Sequence, residues 1–331
     1  MRGYLLLLFT VLLSVGCSKK ETCEIPEEIS RLPVDLKIDR LEQRFFQIKT
    51  VPEMQAFLQQ EPLLRDKFLL RDRYPSEELM AQNLLRLATD TSIHKLARQS
   101  EERFGNLQDI EQGLENGFKH VKHFYPSFNL PKVQTFISGL SRDLLVSDSL
   151  LVLGLDFFIG KEAAYRPQAP EYILKRYEKE NLVPSVMLLV SNKFNKTDFV
   201  NKEMLDEMID YGKSYYFTQK VLPCTPDSLI IWYSGQELAD VKYNEGKIWA
   251  HFIEKGLLYE TSQFTIRKYV GERPNVPEIS ERCPGRVATW VGWQIVRAYM
   301  ENNPQVTLQQ LMEEKDARKI LDGSKYKPQK K

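Results

Sequence analysis

Residues 198–222 read Asp-Phe-Val-Asn-Lys-Glu-Met-Leu-Asp-Glu-Met-Ile-Asp-Tyr-Gly-Lys-Ser-Tyr-Tyr-Phe-Thr-Gln-Lys-Val-Leu. Spacings of three and four separate the residues that would share one wide face of an α-helix, which are Leu205, Met208, Ile209, Gly212, Tyr215 and Tyr216. Thr197 can cap the start of this helix, and Pro223 can end it. At ~1.5 Å per residue the helix would be roughly 37 Å long. We therefore predict that it is the central helix of the fold.

The sequence on either side of this helix predicts a small sheet and further helices. Runs of apolar and β-branched residues predict strands at 133–138, 143–146 and 149–159, and alternation suits a further strand at 34–41. We expect a small antiparallel sheet packed on the long central helix. Other segments show helical spacing, with Ser76 and Thr307 as N-caps, whereas residues 261–282 are polar and predict irregular structure. The predicted fold class is α+β, predominantly α.

The N-terminal segment has the pattern of a lipoprotein signal peptide. Arg2 precedes the apolar run Leu5–Val15, which is too short to span a bilayer. The run ends in a lipobox-like sequence, Leu13-Ser14-Val15-Gly16-Cys17, in which Cys17 would become the acylated N-terminus. An ordinary cleaved signal peptide followed by a chance cysteine is the alternative. Lipidation would hold the protein at a membrane surface without a spanning helix.

This pattern leads to a prediction of domain organisation and location. We predict a signal peptide over 1–16, a lipid anchor and tether over 17–33, a single domain over 34–322, and a basic tail over 323–331. The domain would be helical over 34–130, would contain the sheet and the central helix over 131–222, and would be helical again over 223–322. Ser18-Lys19-Lys20 after Cys17 favours a lipid-anchored, periplasm-facing protein, in the outer membrane rather than the inner.

Composition excludes one class of partner. The 331 residues include 46 Lys and Arg against 45 Asp and Glu, and the formal net charge is +1. A nucleic-acid-binding protein would need a basic excess or a basic stripe, so no nucleic-acid partner is expected. Hydrophobic residues make up 42% of the chain, which is enough for a large core.

Three cysteines besides Cys17 lie in the predicted mature chain: Cys23, Cys224 and Cys283. In an oxidising compartment at least one of the three is left unpaired. We predict that Cys224 pairs with Cys283, because Cys23 lies in the polar tether. Neither is expected to be a catalytic nucleophile, since no histidine is placed near them by the sequence.

Strands followed by one long helix are the arrangement of zincin-type zinc peptidases, which carry H-E-x-x-H on that helix. The corresponding segment here, Met208–Ser214, contains no histidine. The chain has four histidines, and only His120 and His123 have a spacing that would place two imidazoles on one helix face; the other two are His94 and His251. No third ligand is indicated, so we expect no metal and no cofactor.

Paired carboxylates remain a candidate for hydrolysis. Five acidic side chains on or near the central helix could converge, namely Asp206, Glu207, Asp210, Glu237 and Glu245. Helix surfaces are usually charged, so solvated carboxylates are the simpler interpretation. No P-loop, G-x-G-x-x-G or G-x-S-x-G sequence is present.

Aromatic and arginine side chains form the other candidate set, because such residues line clefts and interfaces. The same residues also fill ordinary cores. Arg286 is the best single candidate, since it follows Pro284-Gly285 at a helix start. The predicted cleft or interface residues are Arg286, Trp290, Trp293, Arg297, Tyr211, Tyr215, Trp249 and Asp210.

Three stretches together resemble the gliding-motility-associated lipoprotein GldB family of Bacteroidetes. They are Gly154-Leu155-Asp156-Phe157-Phe158-Ile159-Gly160, then Met208–Tyr216, and Pro284-Gly285-Arg286 continuing through Trp290–Met300. Tyr243–Trp249 and Leu257–Tyr259 also look like that family. One departure is Tyr211, which follows Asp210 where the family often has glutamate.

The resemblance implies lipoproteins that motile relatives need for gliding, with a zincin-like fold that lacks the zinc ligands. It therefore implies a non-enzymatic component or assembly factor of gliding motility or secretion-related envelope machinery, with other envelope proteins as partners. A divergent zincin-like hydrolase, or a lipoprotein that binds a peptide or a glycan, are the alternatives.

Overall fold

The computed structural model describes residues 23–197, 199 and 203–329. The predicted signal peptide and Cys17 lie outside these residues. The described α-helices are α1 (Glu27–Ser30), α2 (Leu41–Phe45), α3 (Val51–Gln60), α4 (Glu77–Thr89), α5 (Thr91–Phe104), α6 (Gln108–Phe124), α7 (Glu171–Leu174), α8 (Leu182–Ser191), α9 (Met204–Val221), α10 (Asp227–Ile231), α11 (Gly235–Tyr243), α12 (Glu245–Glu254), α13 (Gln263–Val270), α14 (Val287–Asn302), α15 (Leu308–Glu313) and α16 (Ala317–Ser324). A π-helical turn covers Leu64–Phe68, and 3₁₀ turns cover Arg71–Arg73, Leu155–Ile159, Lys179–Asn181 and Leu257–Tyr259.

The strands of the described residues form one mixed sheet. They are β1 (Ile38–Arg40), β2 (Lys132–Phe136), β3 (Leu144–Val146) and β4 (Leu150–Gly154), in the order β1-β2-β4-β3. β1 pairs with β2 and β2 pairs with β4 in parallel, and β3 alone is antiparallel to its neighbour β4. The prediction of an antiparallel sheet is therefore wrong for two of the three pairs. Helices α2–α6 connect β1 to β2, and such a long crossover is what a parallel pair requires.

The central strand β4 is buried on both faces, which explains its unbroken apolar sequence. Leu150 and Val152 contact a smaller core formed with α2, α3 and α4. Leu151 and Leu153 point to the opposite face and join the main core. The sheet thus separates two hydrophobic clusters.

The predicted central helix is confirmed as α9, but it begins at Met204 rather than near residue 198. The backbone N–H of Glu203 donates to the Asp206 carboxylate at 3.0 Å, so Glu203, and not Thr197, is the N-cap, in a capping box with Asp206. At ~1.5 Å per residue the 18 residues of α9 are roughly 27 Å long. Buried residues surround most of its circumference, as expected for a helix inside a core.

The neighbours of α9 differ from the prediction. Its most extensive contact is with α14, and it also packs against α8 and α6. The main helix contact of the edge strand β3 is with α8, which therefore lies between that strand and α9. The apolar sequence of α8 suits a helix that is covered on several sides. The predominantly helical α+β class is confirmed, although α8 rather than α9 packs on the sheet edge.

The structure confirms two predicted N-caps and contains two helices that the sequence analysis did not predict. Ser76 Oγ accepts the N–H of Leu79 at the start of α4, and Thr307 Oγ accepts the N–H of Gln310 at the start of α15. Both predicted caps are confirmed. The prediction of irregular structure over 261–282 is wrong for α13, and α16 follows the helix that we expected to be the last.

The predicted basic tail is attached to the domain at Tyr326. Its hydroxyl donates to the Glu245 carboxylate at 2.7 Å, and its ring packs edge-on against Trp249 at 5.0 Å between centroids. Among the described helices, none combines the length and the apolar character needed to cross a membrane.

Candidate functional site

The polar side chains in the middle of α9 hold neighbouring segments in place. The Lys213 side chain is fully buried, and its Nζ donates to the backbone carbonyl of Glu314 at 2.7 Å and to Thr197 Oγ1 at 3.4 Å. Burial lowers the pKa of Lys213 to about 8, against the opposing effects of Asp210 and Glu314. Asn195 Nδ2 donates to the backbone carbonyl of Asp210 at 2.9 Å. These contacts fasten residues 195–197 and the end of α15 to the central helix.

The candidate carboxylates take part in separate contacts. Burial raises the pKa of Asp210, while a hydrogen bond with Thr197 and the charge of Lys213 act in the opposite direction. Glu207 accepts a hydrogen bond from Gln263 at 3.4 Å, and Glu237 pairs with Lys175 at 2.7 Å. Asp206 accepts the backbone N–H of Glu203 at the start of α9, and Glu245 accepts the hydroxyl of Tyr326. Each carboxylate therefore has a structural contact of its own.

Arg286 is buried, with 5% of its surface exposed, and it joins several segments. Its guanidinium donates to the Ile231 carbonyl and to the Tyr215 hydroxyl, and its Nε lies 3.6 Å from the Glu272 carboxylate. The guanidinium also lies over the Trp232 ring, 4.8 Å from the centroid. The structure therefore places Arg286 in the core and not at the predicted cleft or interface, because its side chain is enclosed.

The backbone around this contact is unusual. Arg286 has a φ of 59° and Trp232 has a φ of 57°, so both bulky residues adopt the left-handed conformation. This conformation is unfavourable for such residues unless surrounding contacts hold it. The buried stack of Arg286 on Trp232 provides such contacts at the start of α14 and the end of α10.

Most other members of the aromatic set also belong to the core. Trp290, Trp293 and Tyr215 are almost completely buried, so a cleft or interface role for them is wrong in this fold. Arg297 pairs with Asp227 at 2.7 Å and stacks on Trp293, and Trp249 is half-buried against Tyr326. Tyr211 is the exposed member of the set, with 42% of its surface accessible to solvent.

The histidines carry no metal site within the described residues. His120 is buried, and its Nδ1 lies 2.8 Å from the Asn116 carbonyl one helical turn earlier. Burial lowers the pKa of His120. Across residues 23–197, 199 and 203–329, no three His, Cys, Asp or Glu side chains are grouped so that they could hold a metal ion.

The cysteine pairing differs from the prediction. Cys224 forms a disulfide with Cys23, with 5.5 Å between the Cα atoms, and Cys283 is a free, buried thiol. Burial raises the pKa of the Cys283 thiol to about 12, so it remains protonated. The predicted Cys224–Cys283 pair is therefore wrong. The sequence predicts that Cys23 lies in a polar tether, whereas α1 packs on α6 and brings the N-terminal segment onto the domain.

An open groove that sequence reasoning missed follows the outer edge of β3. It has a volume of about 470 Å³ and lies between the edge strand and the end of α8. Its lining includes Phe128, Leu144, Val146, Leu189, Val190 and Lys193. One sequence signal could have revealed it. The middle one of the three predicted strands, 143–146, is short, and edge strands are often short.

Asp156 holds the chain segment that leads into β3. This buried carboxylate follows β4, and its Oδ2 accepts the backbone N–H groups of Ser138 at 3.1 Å and Leu140 at 2.7 Å. Gly139 and Leu140 have φ values of 66° and 60°, so the carboxylate stabilises a left-handed turn. Burial raises the pKa of Asp156 to about 6, against these hydrogen bonds.

We expect the stability of the Asp156→Asn variant, relative to that of the native chain, to increase as the pH rises. Because the pKa of Asp156 is higher in the folded state than the ~3.9 of an unfolded chain, its stabilising contribution is complete below about pH 4 and is lost as the pH rises through about 6. The asparagine variant stays neutral, so its stability relative to the native chain should increase by ~2 kcal/mol between pH 4 and pH 7.

Urea unfolding at several pH values measures this difference. Asp72→Asn, at an exposed aspartate, serves as the control and should follow the native chain. A difference between Asp156→Asn and the native chain that stays constant with pH would contradict the prediction.

The structure is that of a mostly helical α+β protein with a buried helix pair and an open strand edge. A family model described as gliding motility protein GldB matches residues 22–328, and its name also marks a lipoprotein family. The chain therefore belongs to the GldB family of gliding motility proteins, and the family resemblance of the sequence is confirmed. Comparisons with curated proteins and with solved structures gave no match.

Proposed function

We propose that this protein is a lipid-anchored, periplasm-facing component of gliding motility or secretion-related envelope machinery, and that it acts by binding a partner rather than by catalysis. One observation carries the non-enzymatic part. Two buried titratable groups of α9, where a zincin would place its chemistry, are engaged in contacts that hold the fold: Lys213 donates to the end of α15, and Asp206 accepts the N–H of Glu203 at the start of the helix. Membership of the GldB family supports the envelope role.

The scaffold is proposed to be a degenerate zincin-like core. The support is the order of the elements, in which the strands precede the long helix α9. The helix contains no histidine, so it cannot supply the two imidazoles of an H-E-x-x-H site.

The disulfide gives the proposed anchor a structural consequence. Cys23 follows Cys17 by six positions in the sequence, and an extended chain of that length spans roughly 20 Å. Cys23 is bonded to Cys224 just after the end of α9. If Cys17 is acylated, this end of the central helix stays close to the membrane, and the domain is held in a limited range of orientations.

Capture of the native lipoprotein from cross-linked envelopes tests the proposal. A tagged chain should retain a stoichiometric envelope partner, and Cys17→Ala should lose both the membrane fraction and the partner. A thermal melt of the variant that matches the native chain would show that the loss comes from mislocalisation and not from unfolding.

Two results would count against this function. Absence of any partner from the cross-linked native chain would contradict an assembly role. Peptide hydrolysis by the purified protein that a chelator abolishes would show an enzyme instead. The groove at β3 specifically favours a second candidate, a lipoprotein that binds peptide, and this candidate is compatible with an assembly role.

A further inference from the structure

The outer edge of β3 presents backbone groups to solvent. Among the strands of the described residues, β3 pairs on one side only, with β4. The N–H of Ser147 donates to the Leu150 carbonyl at 2.9 Å, and the N–H of Gly154 donates to the Asp143 carbonyl at 2.7 Å. Because hydrogen-bonded pairs alternate in an antiparallel ladder, Leu145 directs its backbone groups to β4, while Leu144 and Val146 direct theirs outward.

These outward groups are largely unpaired. The N–H of Leu144 is occupied by the Asp143 carboxylate at 2.7 Å. No hydrogen bond from within the described residues reaches the carbonyl of Leu144 or either backbone group of Val146. An edge strand with free N–H and C=O groups is a template for another strand.

The groove beside this edge forms an apolar recess, and the charged groups that line it already have partners. Leu189, Val190 and Phe128 line its walls. Lys193 pairs with Asp148 at 2.6 Å, and Arg142 donates to the backbone carbonyl of Lys67 at 2.6 Å. A ligand would therefore meet unpaired backbone groups along β3 and apolar side chains in the recess.

We propose that the β3 edge binds an extended peptide segment of a partner protein, which adds a strand to the sheet and places alternate apolar side chains in the recess. This proposal rests on the proposed function in taking the protein to be a binding component. Strand addition draws affinity from main-chain hydrogen bonds and specificity from pockets for alternate side chains, and both features are present here. A second copy would offer a rigid edge of three residues whose side chains are half-buried, and would leave the recess unfilled.

Val146→Pro tests the backbone contribution. Proline removes the outward N–H of Val146 and leaves the pairing of Leu145 with β4 intact, and edge strands tolerate proline where the N–H faces solvent. Val146→Thr is the matched control, since it keeps the N–H and nearly the same shape. The probe is a phage-displayed library of random 12-residue peptides, selected on the full chain with its membrane anchor in detergent.

We expect enriched peptides with alternating apolar residues. Their affinity, measured by fluorescence polarisation, should fall about tenfold for Val146→Pro and remain unchanged for Val146→Thr.

Leu189→Lys tests the recess independently, so the proposal remains testable if Val146→Pro does not fold. Leu189 and Leu79 are each 38% exposed, and Leu79 lies on α4 outside the groove, so Leu79→Lys is the matched control. A charge in the recess should abolish binding of the selected peptides, and the same charge on α4 should not.

Three outcomes would overturn the proposal. The selection could enrich no peptide, or Leu189→Lys and Leu79→Lys could bind the selected peptides equally well. The native chain could also form a dimer that Val146→Pro dissociates. The last would assign the edge to a second copy. Peptide selection needs neither membrane localisation nor the envelope partner. A failed envelope capture with successful peptide binding would therefore reject the motility role alone, and the reverse result would reject the groove alone.

Discussion

Replacing Gly292 with alanine should destabilise the folded protein by about 4–5 kcal/mol, near the upper end for a single substitution. A Cβ at Gly292 would overlap the backbone carbonyl of Met208 on α9, and a Cβ at Gly212 would lie 2.5 Å from the carbonyl of Gly292. Since the opposing atoms are backbone, no side-chain rotation can relieve the overlap. The two central helices would have to separate, which would loosen the buried layer that contains Trp290 and Trp293.

Urea unfolding followed by tryptophan fluorescence measures the loss. Gly235→Ala, at the start of α11, is the control, because a Cβ there has no neighbour within 4 Å and the stability should change by less than about 1 kcal/mol. Gly212→Ala should behave like Gly292→Ala. Equal unfolding midpoints for Gly292→Ala and Gly235→Ala would show that the helices are not in close backbone contact.

Loss of the Cys23–Cys224 disulfide should cost about 3–5 kcal/mol. The two cysteines are 201 residues apart, so the bond closes a long loop and removes much conformational freedom from the unfolded chain. Cys224→Ser and Cys23→Ser should each lower the melting temperature, and added reductant should lower that of the native chain but not that of either variant.

Cys283→Ala distinguishes the Cys23–Cys224 disulfide from the Cys224–Cys283 disulfide that the sequence predicted. It removes a buried thiol without breaking a disulfide, so we expect a loss of only about 1 kcal/mol and a retained response to reductant. Thiol titration of the unfolded, unreduced mature chain should detect Cys283 as a free thiol. A Cys283→Ala variant that no longer responds to reductant would instead support a Cys224–Cys283 bond.

Local features of the fold were predictable because neighbouring residues produce them. The hydroxyls of Ser76 and Thr307 cap helices three residues from their own N–H partners, so the signal lies within one turn. Tyr326, in contrast, is held by Glu245 across 81 residues, and nothing in the sequence near Tyr326 indicates that contact. The start of α9 was misplaced although its signal is local, because the capping box joins Glu203 to Asp206, which lies within the stretch already predicted to be helical.

The candidate site also depends on contacts between residues that are far apart in the sequence. Arg286 has the position of a cleft residue by sequence, at a helix start after Pro284-Gly285. Its role depends on the Ile231 carbonyl, Glu272 and Trp232, which come from separate parts of the chain. The groove was missed for the same reason: the short strand β3 indicates a sheet edge, but the groove forms only where that edge meets α8.

The sequence by itself determined the family, the predominantly helical class, the position of the central helix and the absence of histidine from it. These follow from periodicity, composition and residue identity, which act over a few residues. Tertiary structure alone decided the parallel strand pairing, the Cys23–Cys224 disulfide, the burial of Arg286 and the open edge of β3. Each of these depends on which distant segments are neighbours, and that is set by how all the apolar surfaces are buried together.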